Sequence, residues 1–356
     1  MDPLYKYGSM GYIKVLIWTC CYCGLWSLRA QPATTTSPIE SERAGLVEYM
    51  EGIYFSRKKD YTRAIEAFDK AEGGLASPDR LYYLRGIAYY ELGRYKEAIR
   101  DYQRDHLLVP GRAAFKIAGT FATLGAVSSS LKWLDTARHY KIRHSREFIF
   151  HEPSFQRARF NRKFRGKLRS QSSSRAERYA RLAQRRLSRK DYAGTLEYLD
   201  KALTYQPGIP EWLQLQAHIY RQLGEYSKER EYYFEEAAYR PFDKAEVFED
   251  IAFSYYAQGD TENAIVWLHQ AVEADASFTA RQIDIAEIYM TTGRPWQAVE
   301  TLEAYLDRVP MDHYAYFALA LLTLDKEKKR GYIATAIRLC LEQGGTVPEE
   351  YKRMER

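Results

Sequence analysis

The sequence predicts an all-α protein, built as a solenoid in which short helix pairs stack one after another. Three observations lead to this prediction. A pattern of glycine, a charged residue and an aromatic residue, with alanine three positions after the aromatic, returns at steps of 34 or 35 residues. From Glu42 onward the apolar residues follow helical spacing, and no strand-like alternation persists. Tyrosine is unusually common, with 31 Tyr against 15 Phe and 6 Trp, which favours an architecture that half-buries many aromatic rings.

The composition sets the broad class of the protein. At about 150 residues per domain, 356 residues correspond to roughly two domains. Hydrophobic residues make up 46% of the chain, which is enough to form a core. Of the four cysteines, Cys20, Cys21 and Cys23 lie within four positions and only Cys340 lies elsewhere, so a disulfide-rich scaffold is excluded.

The N-terminal segment is typical of an export signal. The uncharged run VLIWTCCYCGLWSL occupies residues 15–28 and follows Lys6 and Lys14. As a helix this run is about 21 Å long, shorter than the roughly 30 Å hydrocarbon core of a bilayer. We therefore predict that residues 1–30 are a signal peptide or membrane anchor, and that residues 31–42 are a linker. The chain is expected to be exported, and to be periplasmic or membrane-anchored facing the periplasm.

The sequence leaves the processing of this segment open. Cleavage after Ala30, retention as an uncleaved anchor and lipidation of Cys20 are all compatible with the residues present. Met10 begins a short basic segment, MGYIK, so translation from either Met1 or Met10 fits the pattern. A cytosolic protein with a buried N-terminal helix is the least favoured alternative.

The repeating units share more than the glycine-to-alanine pattern. The clearest step runs from Ala64 to Ala98, which are 34 residues apart. Small residues lie twelve positions before the last residue of each pattern, at Gly52, Gly86, Ala183, Ala217, Ala252 and Ala286. Aromatic or long apolar residues lie four positions after it, at Phe68, Tyr102, Leu199, Tyr233, Leu268 and Leu302. Prolines close several units, at Pro78, Pro110, Pro207, Pro241 and Pro310.

This pattern is explained by two amphipathic helices in each unit. Small residues on both helices, such as Gly86 and Ala98, let the backbones approach closely, and aromatic side chains fill the space beside them. Glycine ends the first helix because it adopts the left-handed conformation at low cost. Proline cannot continue the second helix. One pair cannot bury its own apolar face, whereas stacked pairs can, and this gives a solenoid.

The pattern resembles the tetratricopeptide repeat (TPR) family, which implies a right-handed α-solenoid of TPR-like helix pairs. The resemblance is strong for six units, at residues 45–78, 79–110, 176–209, 210–243, 245–278 and 279–312. A degenerate unit at 112–147 and a divergent or capping unit at 313–343 complete the series. We expect an N-terminal TPR-like array at 43–147, a basic insert at 148–175, and a C-terminal TPR-like array with capping helices at 176–356.

The insert lies within a strongly basic segment. Residues 138–190 contain eighteen Lys or Arg against three acidic residues, although the whole chain carries only +6. Phe160, Phe164 and Leu168 have the spacing of one helical stripe, and Ser174 is predicted to cap the next helix. The candidate binding cations of the insert are Arg157, Arg159, Arg162, Lys163, Arg165 and Lys167.

The insert has several alternative roles. The stripe is compatible with simple packing on neighbouring repeats, with the charges solvated or paired with acidic residues elsewhere. An acidic protein partner and an anionic membrane surface are the functional alternatives. Nucleic acid is not expected, because an exported protein rarely meets it.

No catalytic or metal-binding motif stands out. The chain has no glycine-rich phosphate loop and no nucleophile elbow, and His151-Glu152 lacks the second histidine of a zinc-protease motif. Cys340 lies in an apolar helix and is predicted to be part of the core. We therefore predict a protein that is not an enzyme and that needs no cofactor or metal.

The resemblance implies that the first helix of each unit lines a concave face that holds a protein or peptide. The candidate residues on this face are Tyr49, Tyr83, Ile87, Tyr90, His218, Arg221, Phe253, Tyr256 and Glu287. Tyr83 and Ile87 stand where a clamp for a C-terminal carboxylate would need Lys and Asn, so we do not expect the chain to bind partners in that way. The sequence predicts a non-enzymatic protein-binding scaffold of the bacterial cell envelope. The alternatives are a structural subunit of an oligomeric envelope assembly or transport complex, and a small-ligand-binding accessory protein.

Overall fold

The computed structural model describes residues 45–73 and 80–355, and every regular element within these ranges is helical. The predicted signal or anchor segment, residues 1–30, and the linker, residues 31–42, lie outside the described residues. Within the described ranges, no helix combines the length and the apolar character needed to cross a membrane.

Consecutive helices form pairs joined by turns of two to four residues. The first three pairs are α1 (Leu46–Arg57) with α2 (Tyr61–Glu72), α3 (Leu81–Glu91) with α4 (Tyr95–Leu108), and α5 (Ala114–Thr123) with α6 (Val127–His139). Two helices that do not form such a pair follow, α7 (Arg146–His151) and α8 (Arg162–Gln171). The remaining pairs are α9 (Ser174–Leu187) with α10 (Tyr192–Tyr205), α11 (Pro210–Gln222) with α12 (Tyr226–Tyr239), α13 (Lys244–Gln258) with α14 (Thr261–Ala274), α15 (Arg281–Thr291) with α16 (Pro295–Leu306), and α17 (His313–Leu322) with α18 (Lys326–Glu342), and the short helix α19 (Glu349–Glu355) comes last. The predicted all-α solenoid of TPR-like helix pairs is confirmed.

In every helix pair except α17 with α18, the turn contains a residue in the left-handed backbone conformation. Gly93 and Gly293 both have φ of 75°, as predicted for residues that end the first helix of a unit. Two units lack this glycine, and there Lys59 and Lys190 adopt φ of 62° and 58°. The turn geometry is therefore kept even where the side chain makes it costly.

Close helix contacts within the pairs depend on small residues, as the sequence predicts. A Cβ atom added to Gly52 would lie 2.5 Å from the ring of Phe68, and one added to Gly86 would lie 2.7 Å from the ring of Tyr102. Both rings are fully buried. The glycine on the first helix and the aromatic ring on the second helix therefore form one packing unit.

The first pair of the array also packs against the last two pairs. One hydrophobic cluster contains Tyr49, Ile53 and Phe68 from the first pair together with Leu302 and Leu319 from the C-terminal pairs. Polar contacts cross the same boundary. The hydroxyl of Tyr54 donates to Oε1 of Gln343 over 2.8 Å, and the ammonium of Lys58 lies 4.6 Å from the centre of the Tyr314 ring. The two ends of the array are therefore in direct contact.

The insert differs from the prediction in two details. Phe164 and Leu168 are buried on one face of α8, but Phe160 lies in a 3₁₀ turn and is 70% exposed. The reason is the side chain of Asn161, which accepts hydrogen bonds from the backbone N–H groups of Lys163 and Phe164 and so begins the helix after Phe160.

The predicted cap of the next helix is displaced by one residue. Ser174 is the first residue of α9, and the capping residue is Ser173. Its hydroxyl accepts from the backbone N–H of Ala176, and its own backbone is extended, which is the usual geometry of a helix cap.

Candidate protein-binding surfaces

The predicted concave face begins at Tyr49, which the structure places in the core. Tyr49 is 5% exposed, and its ring centre lies 6.0 Å from that of Phe68. It belongs to the hydrophobic cluster that joins the first pair to the last two pairs. Its burial follows from contact between the ends of the array, which local sequence patterns do not reveal.

Tyr83, Ile87 and Tyr90 form the next part of the predicted face, and all three are half-buried. Tyr83 packs on Tyr102 with ring centres 6.0 Å apart, and burial raises its pKa well above the usual range for tyrosine. Tyr90 shares a hydrogen bond of 3.1 Å with the hydroxyl of Thr123. Tyr83 therefore packs within its own pair, whereas Tyr90 connects its pair to the next one.

An arginine connects this region to the C-terminal half of the array. Arg80 forms an ion pair with the buried carboxylate of Asp275, and its other terminal nitrogen lies 3.5 Å from Asp243. Its guanidinium also lies 5.4 Å from the centre of the Tyr83 ring. The start of the second pair is therefore held against the segments that precede α13 and α15.

The residues predicted for the concave face are more accessible along α11, α13 and α15. Phe253 is 37% exposed, Tyr256 is 40% exposed and His218 is also exposed, whereas Arg221 and Glu287 are half-buried. We call these five residues the open inner surface. It combines two accessible aromatic rings with both signs of charge.

Contacts between neighbouring helices hold this surface together. Nε of Arg221 donates to the buried carboxylate of Glu229 over 2.5 Å, and Nη2 reaches the backbone oxygen of Asp250 at 3.5 Å. The guanidinium of Arg281 on α15 lies 5.8 Å from the centre of the Phe253 ring on α13. The helices are thereby fixed relative to one another before any partner binds.

The charge states on the open inner surface are shifted by the surroundings. Partial desolvation, together with the neighbouring Arg221, lowers the pKa of His218. Burial and the neighbouring Asp284 raise the pKa of Glu287. A lowered pKa favours the neutral imidazole and a raised pKa favours the neutral carboxyl group, so partial burial acts against the charge on both side chains.

The apolar face of the insert packs on the third pair. Phe164 is fully buried, and its ring stacks on that of Phe155 with centres 5.7 Å apart. The same cluster includes Leu131 and Leu134 from α6. Phe164 and Leu168, two of the three residues of the predicted stripe, therefore anchor the insert to the array, and Arg162, Arg165 and Arg169 are left exposed.

The cations of the insert fall into two groups. Arg157 donates to the backbone oxygen of Thr123 over 3.1 Å, Lys163 reaches the hydroxyl of Ser128 at 3.3 Å and Lys167 pairs with Asp135 at 2.9 Å. Arg159 lies over the ring of Phe160 at 4.9 Å. In contrast, Arg162 and Arg165 are exposed and form no ion pair with any described residue.

The residues that join the two ends of the array were missed by the sequence analysis. Gln343 and Arg80 lie outside the repeating positions, and no local motif marks either residue.

A candidate metal site is not formed in residues 45–73 and 80–355, since no group of three or more His, Cys, Asp or Glu side chains converges there. The predicted core position of Cys340 is confirmed by its 3% exposure.

Family models of the tetratricopeptide repeat match residues 79–112 and 255–322. The first match covers the second helix pair, and the second extends from α13 to the end of α17. The chain therefore contains tetratricopeptide repeats, a class of helical repeat that generally mediates protein–protein interaction. No curated protein sequence matches the chain.

The chain is similar to several solved structures. A crystal structure of MamA protein is 17% identical over 49% of this chain and 98% of that chain, with a TM-score of 0.37. MamA 41-end from Desulfovibrio magneticus RS-1 is 16% identical over 49% of this chain and 99% of that chain, with a TM-score of 0.36. The TPR domain of P58(IPK) is 19% identical over 84% of this chain and 83% of that chain, with a TM-score of 0.27.

Proposed function

We propose that this protein is a non-catalytic protein-binding scaffold of the bacterial cell envelope, and that the open inner surface holds a protein or peptide partner. The observation that supports the proposal is the exposure of Phe253 and Tyr256 on the first helix of a TPR-like pair, the helix that is expected to line the concave face. Aromatic side chains provide a large contact area at low entropic cost, and they are enriched at the centres of interfaces.

The charged residues around these rings support the same proposal. Arg221 and Glu287 lie on the helices to either side of α13, so an amphipathic helix or extended peptide would meet an aromatic centre flanked by opposite charges. Such a partner would bury its apolar side on Phe253 and Tyr256. The charges of Arg221 and Glu287 would then determine the orientation of the bound partner more than they would increase its affinity.

Photocrosslinking tests this proposal directly. A benzoylphenylalanine introduced at position 253 is expected to give a discrete adduct with one envelope protein, and Tyr256→Ala in the same chain should reduce the yield several-fold. The matched control carries the crosslinker at Val266, which is 50% exposed on the second helix of the same pair. Equal yields at positions 253 and 266, or an adduct that Tyr256→Ala leaves unchanged, would refute the proposed binding surface.

The location in the envelope rests on residues 1–30 and is tested separately. A fusion of the chain to alkaline phosphatase is expected to be active in a bacterial host, because that enzyme matures only outside the cytoplasm. Mass spectrometry of the mature N-terminus then distinguishes cleavage before Gln31, a lipidated cysteine and an intact anchor. An inactive fusion would contradict export without affecting the protein-binding proposal.

A structural subunit of an oligomeric envelope assembly is the second candidate. It is favoured by Leu324, which is 98% exposed in the turn between α17 and α18, close to Leu321 at 44% exposure. Exposed aliphatic side chains at the end of an array are suited to contact with another copy. Light scattering of the purified chain separates the two candidates, since a monomer at micromolar concentration contradicts the second.

A further inference from the structure

We propose that the insert docks the protein onto an anionic lipid bilayer, through Phe160 and the outer face of α8. This function goes beyond the binding of a partner on the open inner surface, and it uses a different part of the molecule. The proposal rests on three features of the insert: the orientation of its cations, the lack of compensating acidic groups and the exposure of one aromatic ring.

The orientation follows from helical geometry. Phe164 and Leu168 are 0% and 2% exposed and define the face of α8 that packs on the third pair. At 100° per residue, the opposite face is centred on Arg162, Gly166 and Arg169. Both arginines are exposed, and a Cβ atom added to Gly166 would meet nothing within 4 Å. The outer face of α8 therefore presents the guanidinium groups of Arg162 and Arg169, and Arg165 is exposed at the edge of this face.

The charge of this face is not compensated locally. Residues 157–169 contain seven Lys or Arg and no Asp or Glu. Lys167 pairs with Asp135, whereas Arg162, Arg165 and Arg169 form no ion pair with any described residue. Fixed cations without counter-charges create a positive potential that extends about a Debye length, roughly 8 Å at physiological salt. An anionic headgroup layer lies within that range when it touches α8.

Phe160 supplies the apolar part of the docking surface. Its ring is 70% exposed in the 3₁₀ turn just before α8, and the guanidinium of Arg159 lies 4.9 Å from the ring centre. An aromatic ring next to cations is well placed at the boundary between headgroups and acyl chains. Since Phe160 and Arg162 are two residues apart, the ring and the row of arginines reach the same surface together.

A bilayer fits this surface better than an acidic protein does. The row of arginines lies on the convex outer side of a helix, and Phe160 projects from a turn, so neither forms a pocket that would select one protein side chain. A fluid lipid surface adapts to such a shape and offers anionic groups at every position. The export predicted from residues 1–30 would also bring the chain to a membrane.

Vesicle flotation with the full chain tests the proposal. Phosphatidylglycerol–phosphatidylcholine vesicles are compared with phosphatidylcholine vesicles, so that any binding through residues 1–30 contributes to both. Each cation near an anionic surface contributes about a fivefold increase in binding. The triple variant R162Q/R165Q/R169Q is therefore expected to lose about a hundredfold of the preference for anionic vesicles. High salt should reduce the wild-type preference in the same direction.

Two further variants make the test specific. The triple variant K96Q/R100Q/R308Q removes the same charge from exposed positions outside the insert, and it should retain the anionic preference within about threefold. Phe160→Ala should weaken binding about fivefold to tenfold without changing the salt dependence, because it removes only the apolar part. Circular dichroism spectra of all variants should match the wild type, since every substituted side chain is exposed.

Three outcomes would overturn the proposal. The first is equal wild-type binding to anionic and neutral vesicles. The second is an equal loss of preference in the insert variant and in the control variant. The third is binding of a poly-glutamate probe that requires Arg162, Arg165 and Arg169 while anionic vesicles do not bind, which would identify an acidic protein as the partner of the insert.

Discussion

Tyr54 donates a hydrogen bond of 2.8 Å to the side-chain oxygen of Gln343, which lies 289 residues further along the chain. The side-chain nitrogen of Gln343 donates a hydrogen bond to the backbone oxygen of Met311 over 2.7 Å. The backbone oxygen of Gln343 accepts a hydrogen bond from the guanidinium of Arg63 over 3.3 Å. One glutamine therefore connects the first helix pair to the last. In an open solenoid each repeat contacts only its neighbours, whereas here the first and last pairs also stabilise each other.

Gln343→Ala is expected to lower the free energy of unfolding by about 1–3 kcal/mol. The side chain of Tyr54 is only 6% exposed, so its hydroxyl would lose its acceptor without gaining full access to water. Urea unfolding of the full chain measures the change. The control is Gln222→Ala at the exposed end of α11, which should stay within about 0.5 kcal/mol of the wild type. Equal effects of the two substitutions would show that Gln343 does not join the ends of the array.

The helix pairs could be predicted from the sequence because their packing depends on residues within one 34-residue unit. Gly86 and Tyr102, for example, are only sixteen residues apart, and both occupy repeating positions. The contact between Tyr54 and Gln343 could not be predicted in this way. It depends on the summed curvature of all the pairs, and small rotations at each step decide whether the ends meet.

The same difference explains the outcome for the candidate binding residues. The spacing correctly places Tyr49 and Phe253 on first helices, but it does not show what lies opposite each residue. Tyr49 is covered by the C-terminal pairs, while Phe253 stays accessible.

For Phe160, the sequence contained a local signal that it lies outside the helix. Asn161 is a favourable helix cap, and it separates Phe160 from Phe164 although their spacing fits one helical stripe.

Gly86→Ala is expected to destabilise the protein by about 1–3 kcal/mol. The new Cβ atom would lie 2.7 Å from the ring of Tyr102, which is 1% exposed and has no room to move. The matched control is Gly166→Ala on the outer face of α8, where the added atom meets nothing. There the higher helix propensity of alanine should stabilise the protein by up to about 1 kcal/mol. Thermal unfolding monitored by circular dichroism should therefore shift in opposite directions, and a shift in the same direction would contradict the packing account.

Arg85→Met is expected to cost about 3–5 kcal/mol of stability. The Arg85 side chain is buried and donates to Asp101 over 2.7 Å, to Asp69 over 2.7 Å and to Glu72 over 2.6 Å. Asp101 is 3% exposed, so removal of the guanidinium leaves its carboxylate buried without its main partner. Urea unfolding gives the magnitude.

Two further variants test whether the cost of Arg85→Met comes from the orphaned carboxylate. In the double variant Arg85→Met/Asp101→Leu neither charge remains, so most of the lost stability should return. Arg94→Met removes one member of the exposed ion pair between Arg94 and Glu97, and it should change stability by less than about 1 kcal/mol. If the double variant is no more stable than Arg85→Met alone, the loss arises from packing and the electrostatic account is wrong.

Glu236→Gln is expected to make the protein less sensitive to pH. Burial raises the pKa of Glu236 to about 7, although Arg240 acts in the opposite direction, and burial with the nearby Glu236 also raises the pKa of Asp250 to about 7. A carboxyl group whose pKa is raised by folding favours the folded state while it is protonated. That contribution is complete below about pH 4.5, and it is lost as the pH rises through 7.

The variant should therefore match the wild type at pH 4.5 and exceed it at pH 8, by on the order of 1–3 kcal/mol. Urea unfolding at both pH values measures this difference, and the comparison cancels the titration of groups that the two proteins share. Glu235→Gln, at the exposed neighbouring position, should change stability equally at both pH values. A Glu236→Gln variant whose advantage is the same at pH 4.5 and pH 8 would show that Glu236 is already ionised in the folded protein across this range. Its charge would then be balanced by Arg240, which lies 3.0 Å away.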